Sequence, residues 1–223
     1  GIVAYQKTGE VNTCSNYGIV TNKMASTGWD QLRVGGVVGF FEGAEITDCI
    51  NSGSVSDKST SNGGCVGGVV GLVKSVMTIL NCDNTALVSG LFNNTASSVV
   101  AIGGVLGCAT KSLTMDYCDN SGDVYQYDNS VSTEGVGGLA GYIVNGPTNK
   151  ISNCSSNASV TAVSDKYAGA FIGRLNPADG SSVESSKVYG TFNGNTVEGN
   201  PTSWFGKSSD YKVTTGITYG KDN

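Results

Sequence analysis

The chain has 223 residues, of which 33 are Gly, 3 are Pro and none is His, and its 13 Lys+Arg against 18 Asp+Glu leave a net charge of -5. That balance provides no basic stripe to neutralise a nucleic-acid backbone, so nucleic acid is not an expected partner. The missing imidazole excludes Ser-His and Cys-His dyads and His-ligated zinc, and any chemistry would have to rest on carboxylates, Tyr, Lys or thiols. Plentiful Val, Thr, Ser and Asn favour strands joined by tight turns over helices. No segment approaches the roughly 18 apolar residues that a membrane span needs, and residues 1–15 lack the basic-then-apolar profile of a signal peptide.

Along the chain one glycine block recurs: "VGGVVG" at 34–39 and again at 66–71, "IGGVLG" at 102–107, "VGGLAG" at 136–141 and "AGAFIG" at 168–173, with an echo in "SWFG" ending at Gly206. A second block follows each: "VNTCSNYGIV" at 11–20, "ITDCINSGSV" at 46–55, "ILNCDNTALV" at 79–88, "MDYCDNSGDV" at 115–124, "ISNCSSNASV" at 151–160 and a decayed "VESSKVYGTF" at 183–192. A nucleotide-binding glycine loop occurs once, between a strand and a helix, so the recurrence removes that reading of the block. "GIVAYQKTGEVNTC" at 1–14 superimposes without a gap on "GVVGFFEGAEITDC" at 36–49. The expectation is a chain that starts inside a glycine block with a parent continuing upstream, a natural start there being the alternative.

A unit of 32–36 residues with three β-prone segments, at 34–41, 45–50 and 53–56 in the second unit, predicts one coil of a parallel β-solenoid. One coil cannot bury its own apolar face, but coils stacked about 4.8 Å apart share a core. The chain is therefore read as all-β, a right-handed parallel β-helix of about six coils, with units near 1–33, 34–65, 66–101, 102–135, 136–167 and 168–200 and a capping segment at 201–223. Propeller blades take more residues per repeat, and a sandwich does not need glycines and cysteines in register.

Each repeated column has an assignable task. Cys14, Cys49, Cys82, Cys118 and Cys154, with Ser186 in the sixth unit, read as stacked buried thiols; Cys65 and Cys108 fall outside the column. No C-x-x-C pairing suggests a metal, and no motif suggests a cofactor, so neither is expected. Asn16, Asn51, Asn84 and Asn120 read as a ladder at a corner, because Asn tolerates the left-handed region and bonds neighbouring backbone. Val11, Ile46, Ile79, Met115, Ile151 and Val183 read as core, as do Val20, Val55, Val88, Val124, Val160 and Phe192. The glycine strand is apolar on both faces, with Val34, Gly36 and Val38 on one and Gly35, Val37 and Gly39 on the other; a loop or another molecule is expected against its outer side.

Binding residues are sought where the repeat is loosest, in the inter-coil loops at 21–33, 56–65, 89–101, 125–135 and 161–167. Trp29, Phe92, Tyr125 and Tyr127 lie there, and their rings could stack on sugars with Asp30, Asn93 and Asp128 alongside; the alternative is that they fold back onto the rod. Asp83 and Asp119 share a column in successive coils, which places them about 5 Å apart, a spacing compatible with a retaining glycosidase pair. Asp48 and Asp116 are close to that column in sequence, and acids beside an Asn-Gly corner are equally ordinary turn residues.

The pair "GGLAGYI" at 137–143 and "ISNC" at 151–154, like "GGVVG…ITDCINSG" at 35–53, resembles the GLUG-motif repeat of bacterial, Bacteroidetes-type surface proteins often described as adhesins. The resemblance spans about residues 1–192 and implies a secreted or cell-surface, outer-membrane-associated solenoid with an adhesive role toward host or microbial glycans or surface proteins. It carries over no binding or catalytic residue, since its motif positions are scaffold. The sixth unit departs from it at Ser186 and at Gly169-Ala170, and the tail with Trp204, Phe205, Tyr211 and Tyr219 is expected to close the core. The two functional expectations are a non-catalytic adhesion module and, alternatively, a polysaccharide-active enzyme using Asp83 and Asp119.

Overall fold

A computed structural model describes residues 1–24, 32–58, 63–91, 100–127, 135–143, 148–163, 167–175, 181–197 and 204–206, together with the backbone of 218–219. The described residues are all-β, without an α-helix, and their strands stack as a parallel β-solenoid.

One turn shows the plan. Strands Arg33–Gly35, Val38–Phe41, Glu45–Thr47, Ile50–Asn51 and Val55–Asp57 follow one another, and each belongs to a different sheet, numbered I to V in that order. The sheets hold five, six, six, seven and seven strands. Among the described residues three interior turns carry all five strands with neighbours on both sides; Arg33–Gly35 is an end strand of sheet I, and in the last turn several strands shorten to two residues. Pairing is parallel and in register: Ile46 lies beside Val11 and Ile79, Asn51 beside Asn16 and Asn84, Val55 beside Val20 and Val88. The exception is Thr191–Phe192, which pairs antiparallel with Asn195–Thr196 near the C-terminal end.

The glycine block is not one strand apolar on two faces. It bends at Gly36-Val37 into two strands, one in sheet I and one in sheet II, which lie back to back. Where they meet there is no room for a side chain: a Cβ on Gly71 would sit 2.7 Å from Gly39 O and 2.8 Å from Val34 N, and one on Gly107 would sit 2.8 Å from Val66 N. Backbone therefore packs on backbone, which only glycine permits. What covers the second face of each half is the other half, rather than a loop or another molecule.

The bend divides the interior into three apolar clusters. Val37, Val38 and Phe41 pack with Ile46, Ile79 and the cysteine column. Val34, Val66, Ile102 and Val136 of sheet I pack on Val55, Val88, Val124 and Val160 of sheet V. Between sheets I and II, beyond the glycines, Cys65 and Ala101 meet Leu72, Cys108 and Tyr142 with Phe40 alongside, which accounts for the two cysteines outside the column. Trp204 and Phe205 close the C-terminal end of the first cluster: Trp204 O accepts from Phe171 N at 3.0 Å, and Phe205 bridges Ile172. Tyr211 lies outside the described residues, as does the side chain of Tyr219.

The left-handed corner sits elsewhere than expected. The residue before each column cysteine takes positive φ, from 47° to 53°, at Thr13, Asp48, Asn81, Tyr117, Asn153 and Ser185. That single αL residue turns the chain from sheet III into sheet IV. The asparagines three residues further on have ordinary φ and point inward.

Candidate functional site

Those asparagines form a continuous amide ladder. Asn16 Nδ2 donates to Asn51 Oδ1, Asn51 Nδ2 to Asn84 Oδ1 and Asn84 Nδ2 to Asn120 Oδ1, each at 2.7 Å. Each Nδ2 also donates to the carbonyl two residues on, at Gly18, Gly53, Ala86 and Gly122, which fixes the orientation of every amide. The ladder ends where Asn120 Nδ2 reaches Gly138 O at 2.6 Å and Ser156 takes over, its hydroxyl donating to Ala170 O. The second glycine of each block makes space for it, since a Cβ on Gly68 would collide with the Asn84 amide.

The thiols are equally occupied. Cys14, Cys49, Cys82, Cys118 and Cys154 each donate from Sγ to the carbonyl two residues back, at 3.1–3.4 Å, and Ser186 Oγ repeats the bond at 2.8 Å. Burial, followed by hydrogen bonding to Cys154 and Cys82, pushes the Cys118 thiol well above its ordinary range. These columns are scaffold. Among the described residues no group of three or more Cys, Asp or Glu is gathered closely enough to hold a metal ion.

Of the four aromatic residues at the inter-coil loops, Tyr125 and Tyr127 are brought together. Their ring centroids lie 5.1 Å apart at 77°, an edge-to-face pair at the end of a sheet V strand, both rings half-buried. Trp29 and Phe92, with Asp30, Asn93 and Asp128, lie outside the described residues.

Asp83 and Asp119 are adjacent strand partners on sheet IV. Asp119 is exposed and Asp83 partly buried. Asp119 Oδ1 accepts a 2.6 Å bond from Ser155 Oγ, and the column continues to Lys187 in one direction and Ile50 in the other. Burial, and then the charge of Asp119, holds the Asp83 carboxyl above its ordinary range. Asp48 and Asp116 serve the corner, accepting from Asn81 Nδ2 at 2.6 Å and Asn153 Nδ2 at 2.8 Å.

Sequence reasoning missed a second aromatic group, at the margin of sheets I and II. Tyr5 stacks on Phe40 with centroids 4.9 Å apart and planes 12° from parallel, and its hydroxyl donates to Glu42 Oε2 at 2.6 Å. The Arg33 guanidinium sits 3.9 Å from the centre of the Phe40 ring, within cation–π range. Four turns on, Arg174 lies 4.9 Å from Tyr142 and 4.6 Å from Tyr167. The signal was the position after the last glycine of each block, which runs Phe40, Leu72, Cys108, Tyr142 and Arg174 and pairs back to Tyr5.

No family model, curated protein or solved structure matches the chain. No helix among the described residues is long and apolar enough to cross a membrane.

Proposed function

We propose that the chain is a non-catalytic interaction rod of the cell surface, resembling GLUG-motif repeats, that engages host or microbial glycans or surface proteins along its inter-coil loop edge. In this reading the rod has about six coils and a right-handed wind, and it works outside the cell. The observation that carries the proposal is where the polar chemistry goes. In the repeated columns the amides and thiols are turned inward and bonded to one another or to backbone. The residues left for recognition are those that do not repeat, above all the Tyr125–Tyr127 pair at the loop edge. Aromatic faces suit sugar rings because their C–H surface is apolar while the ring edge of tyrosine offers a hydrogen-bonding hydroxyl.

A glycan array probed with the native chain, Tyr127→Ala and Trp29→Ala tests this. The expected outcome is retention on at least one glycan class and a loss of about tenfold or more in each variant, the scale of removing an aromatic anchor. Absence of any glycan binding by the native chain would eliminate the glycan form of the proposal and leave a protein partner.

The polysaccharide-active alternative rests on the stacked Asp83 and Asp119. The double variant Asp83→Asn, Asp119→Asn separates the two readings: binding unchanged supports the rod, whereas turnover by the native chain that disappears in the variant supports the enzyme.

A further inference from the structure

The corner between sheets III and IV holds one residue that the fold does not ask for. Beyond the first turn its occupants are Asp48, Asn81, Tyr117, Asn153 and Ser185, all at positive φ. Four of these are short polar residues, and Asn and Asp are the ones that visit the left-handed region most readily. Tyr117, at φ 51°, is the exception, a bulky ring in a conformation that disfavours it. Packing does not compensate: Tyr117 is 58% accessible, and its ring and hydroxyl have no partner among the described residues. Beyond the first turn it is also the one exposed aromatic residue among those described. A strained side chain that packs on nothing points to a task outside the fold.

The surroundings of the ring say what it would meet. Asn81 and Asn153 are its neighbours in the corner column, one turn to either side, and Asp116 and Asp119 flank it along the chain. The donors here are already engaged: Asn81 Nδ2 donates to Asp48 Oδ1, Asn153 Nδ2 and Ser152 Oγ to Asp116 Oδ1, and Ser155 Oγ to Asp119 Oδ1. Those bonds fix both amides with their oxygens free. What remains around the ring is a set of acceptors, Asn81 Oδ1, Asn153 Oδ1 and Oδ2 of Asp116 and Asp119, to which nothing among the described residues donates. An open aromatic face bordered by acceptors matches a ligand with an apolar C–H face and a rim of hydroxyl donors. The carboxylates of Asp83, Asp116 and Asp119 repel an acidic one. We infer that Tyr117 is the platform of a neutral-sugar site at the corner of sheets III and IV: a pyranose stacks on the phenol ring, and its hydroxyls donate to Asn81, Asn153, Asp116 and Asp119. The site is separate from the inter-coil loop edge and does not depend on it.

The test rests on Tyr117→Asn, which installs the residue that both neighbouring turns carry at this corner. The native chain, Tyr117→Asn and Tyr127→Ala are applied to arrays of neutral hexose and N-acetylhexosamine oligosaccharides, and to sulfated and uronic-acid oligosaccharides. The urea midpoint of Tyr117→Asn should equal or exceed the native one, while its retention on neutral oligosaccharides falls about tenfold or more, the scale of removing an aromatic anchor. A lower midpoint would show that the ring serves packing and would overturn the inference. So would unchanged retention of Tyr117→Asn, a native chain that prefers the acidic oligosaccharides, or one that binds no oligosaccharide. Loss in Tyr127→Ala alone overturns this site and leaves the loop edge standing; loss in Tyr117→Asn alone supports this site and removes the loop edge from glycan binding.

Discussion

Replacing Asn84 by Ala removes three hydrogen bonds from a residue that is 1% accessible: donation to Ala86 O, donation to Asn120 Oδ1 and acceptance from Asn51 Nδ2, each 2.7 Å long. Asn51 Nδ2 keeps Gly53 O and Asn120 Oδ1 keeps Gly122 N, but the Ala86 carbonyl loses its side-chain donor. At about 1 kcal/mol for each net bond, with a further ~1–3 kcal/mol for a polar group left buried without its partner, the cost is about 4–6 kcal/mol. That is a large part of the roughly 5–15 kcal/mol by which a domain is stable. Asn16→Ala removes the bonds to Gly18 O and Asn51 Oδ1 and leaves Asn51 Oδ1, on a residue that is 0% accessible, without a donor, so by the same count it should cost about 3–5 kcal/mol. Urea unfolding by circular dichroism gives the two values, and amide exchange shows whether the loss spreads to neighbouring turns, as a nearest-neighbour stack requires. A loss below about 1 kcal/mol for Asn84→Ala would refute the claim that the ladder is a principal stabiliser of the interior turns.

Three further outcomes follow from the same geometry. Gly107→Ala places a methyl 2.8 Å from Val66 N and should prevent sheets I and II from closing, read as loss of soluble, protease-resistant protein, whereas Gly194→Ala, with nothing within 4 Å, should cost only the strain of its φ of 78°. The Cys118 thiol is raised in the folded chain, so its contribution to stability is fully present below the ordinary thiol value of 9.0 and is lost as pH rises beyond it, because only the unfolded chain ionises there; a denaturation midpoint that stays flat or climbs from pH 8 to pH 10 in the native chain, relative to Cys118→Ser, contradicts this. Asp83 is likewise raised in the fold, so its contribution is present at acid pH and lost as pH rises through the folded value. Asp83→Asn should therefore stabilise at pH 7 relative to pH 3, and the opposite sign in paired urea titrations would show that the carboxylate is held by a favourable charge instead.

The parallel solenoid was legible because every coil must satisfy the same neighbours, so the same residue type returns at the same place. The thiol column follows that rule down to Ser186, which keeps the bond to the carbonyl two residues back with oxygen in place of sulfur. Two features escaped for physical reasons. The fold-back at Gly36-Val37 was hidden because alternation along 34–41 suits one strand as well as two; the clue was that Gly35 and Gly39 are both glycine, which a single exposed strand face would not demand. Residue preference alone points to Asn for the left-handed corner, yet its occupants are Thr13, Asp48, Asn81, Tyr117, Asn153 and Ser185, imposed by the turn between sheets. Tyr117 at φ 51° shows tertiary context overriding propensity.

The same logic bears on recognition. In a stacked repeat, constancy down a column reports what the coils need from each other, and variation reports freedom from that need. The column after the last glycine keeps its geometry while its residues run from Tyr5 through Phe40, Leu72, Cys108 and Tyr142 to Arg174. It is buried and apolar at Leu72 and Cys108 and equally buried at Tyr142, and near its two ends it carries rings paired with guanidinium groups, Arg33 on Phe40 and Arg174 on Tyr142. Packing alone selects shape and volume, and the middle of the column meets that demand with aliphatic and thiol groups. Ring-on-cation pairs near both ends add polarity to a ladder that stacks without them, and at one of them Tyr5, 51% accessible and stacked on Phe40, adds a flat exposed ring. For that reason the margin of sheets I and II belongs beside the Tyr125–Tyr127 pair in any search for the binding edge, although none of its residues stands out when the sequence is read one position at a time.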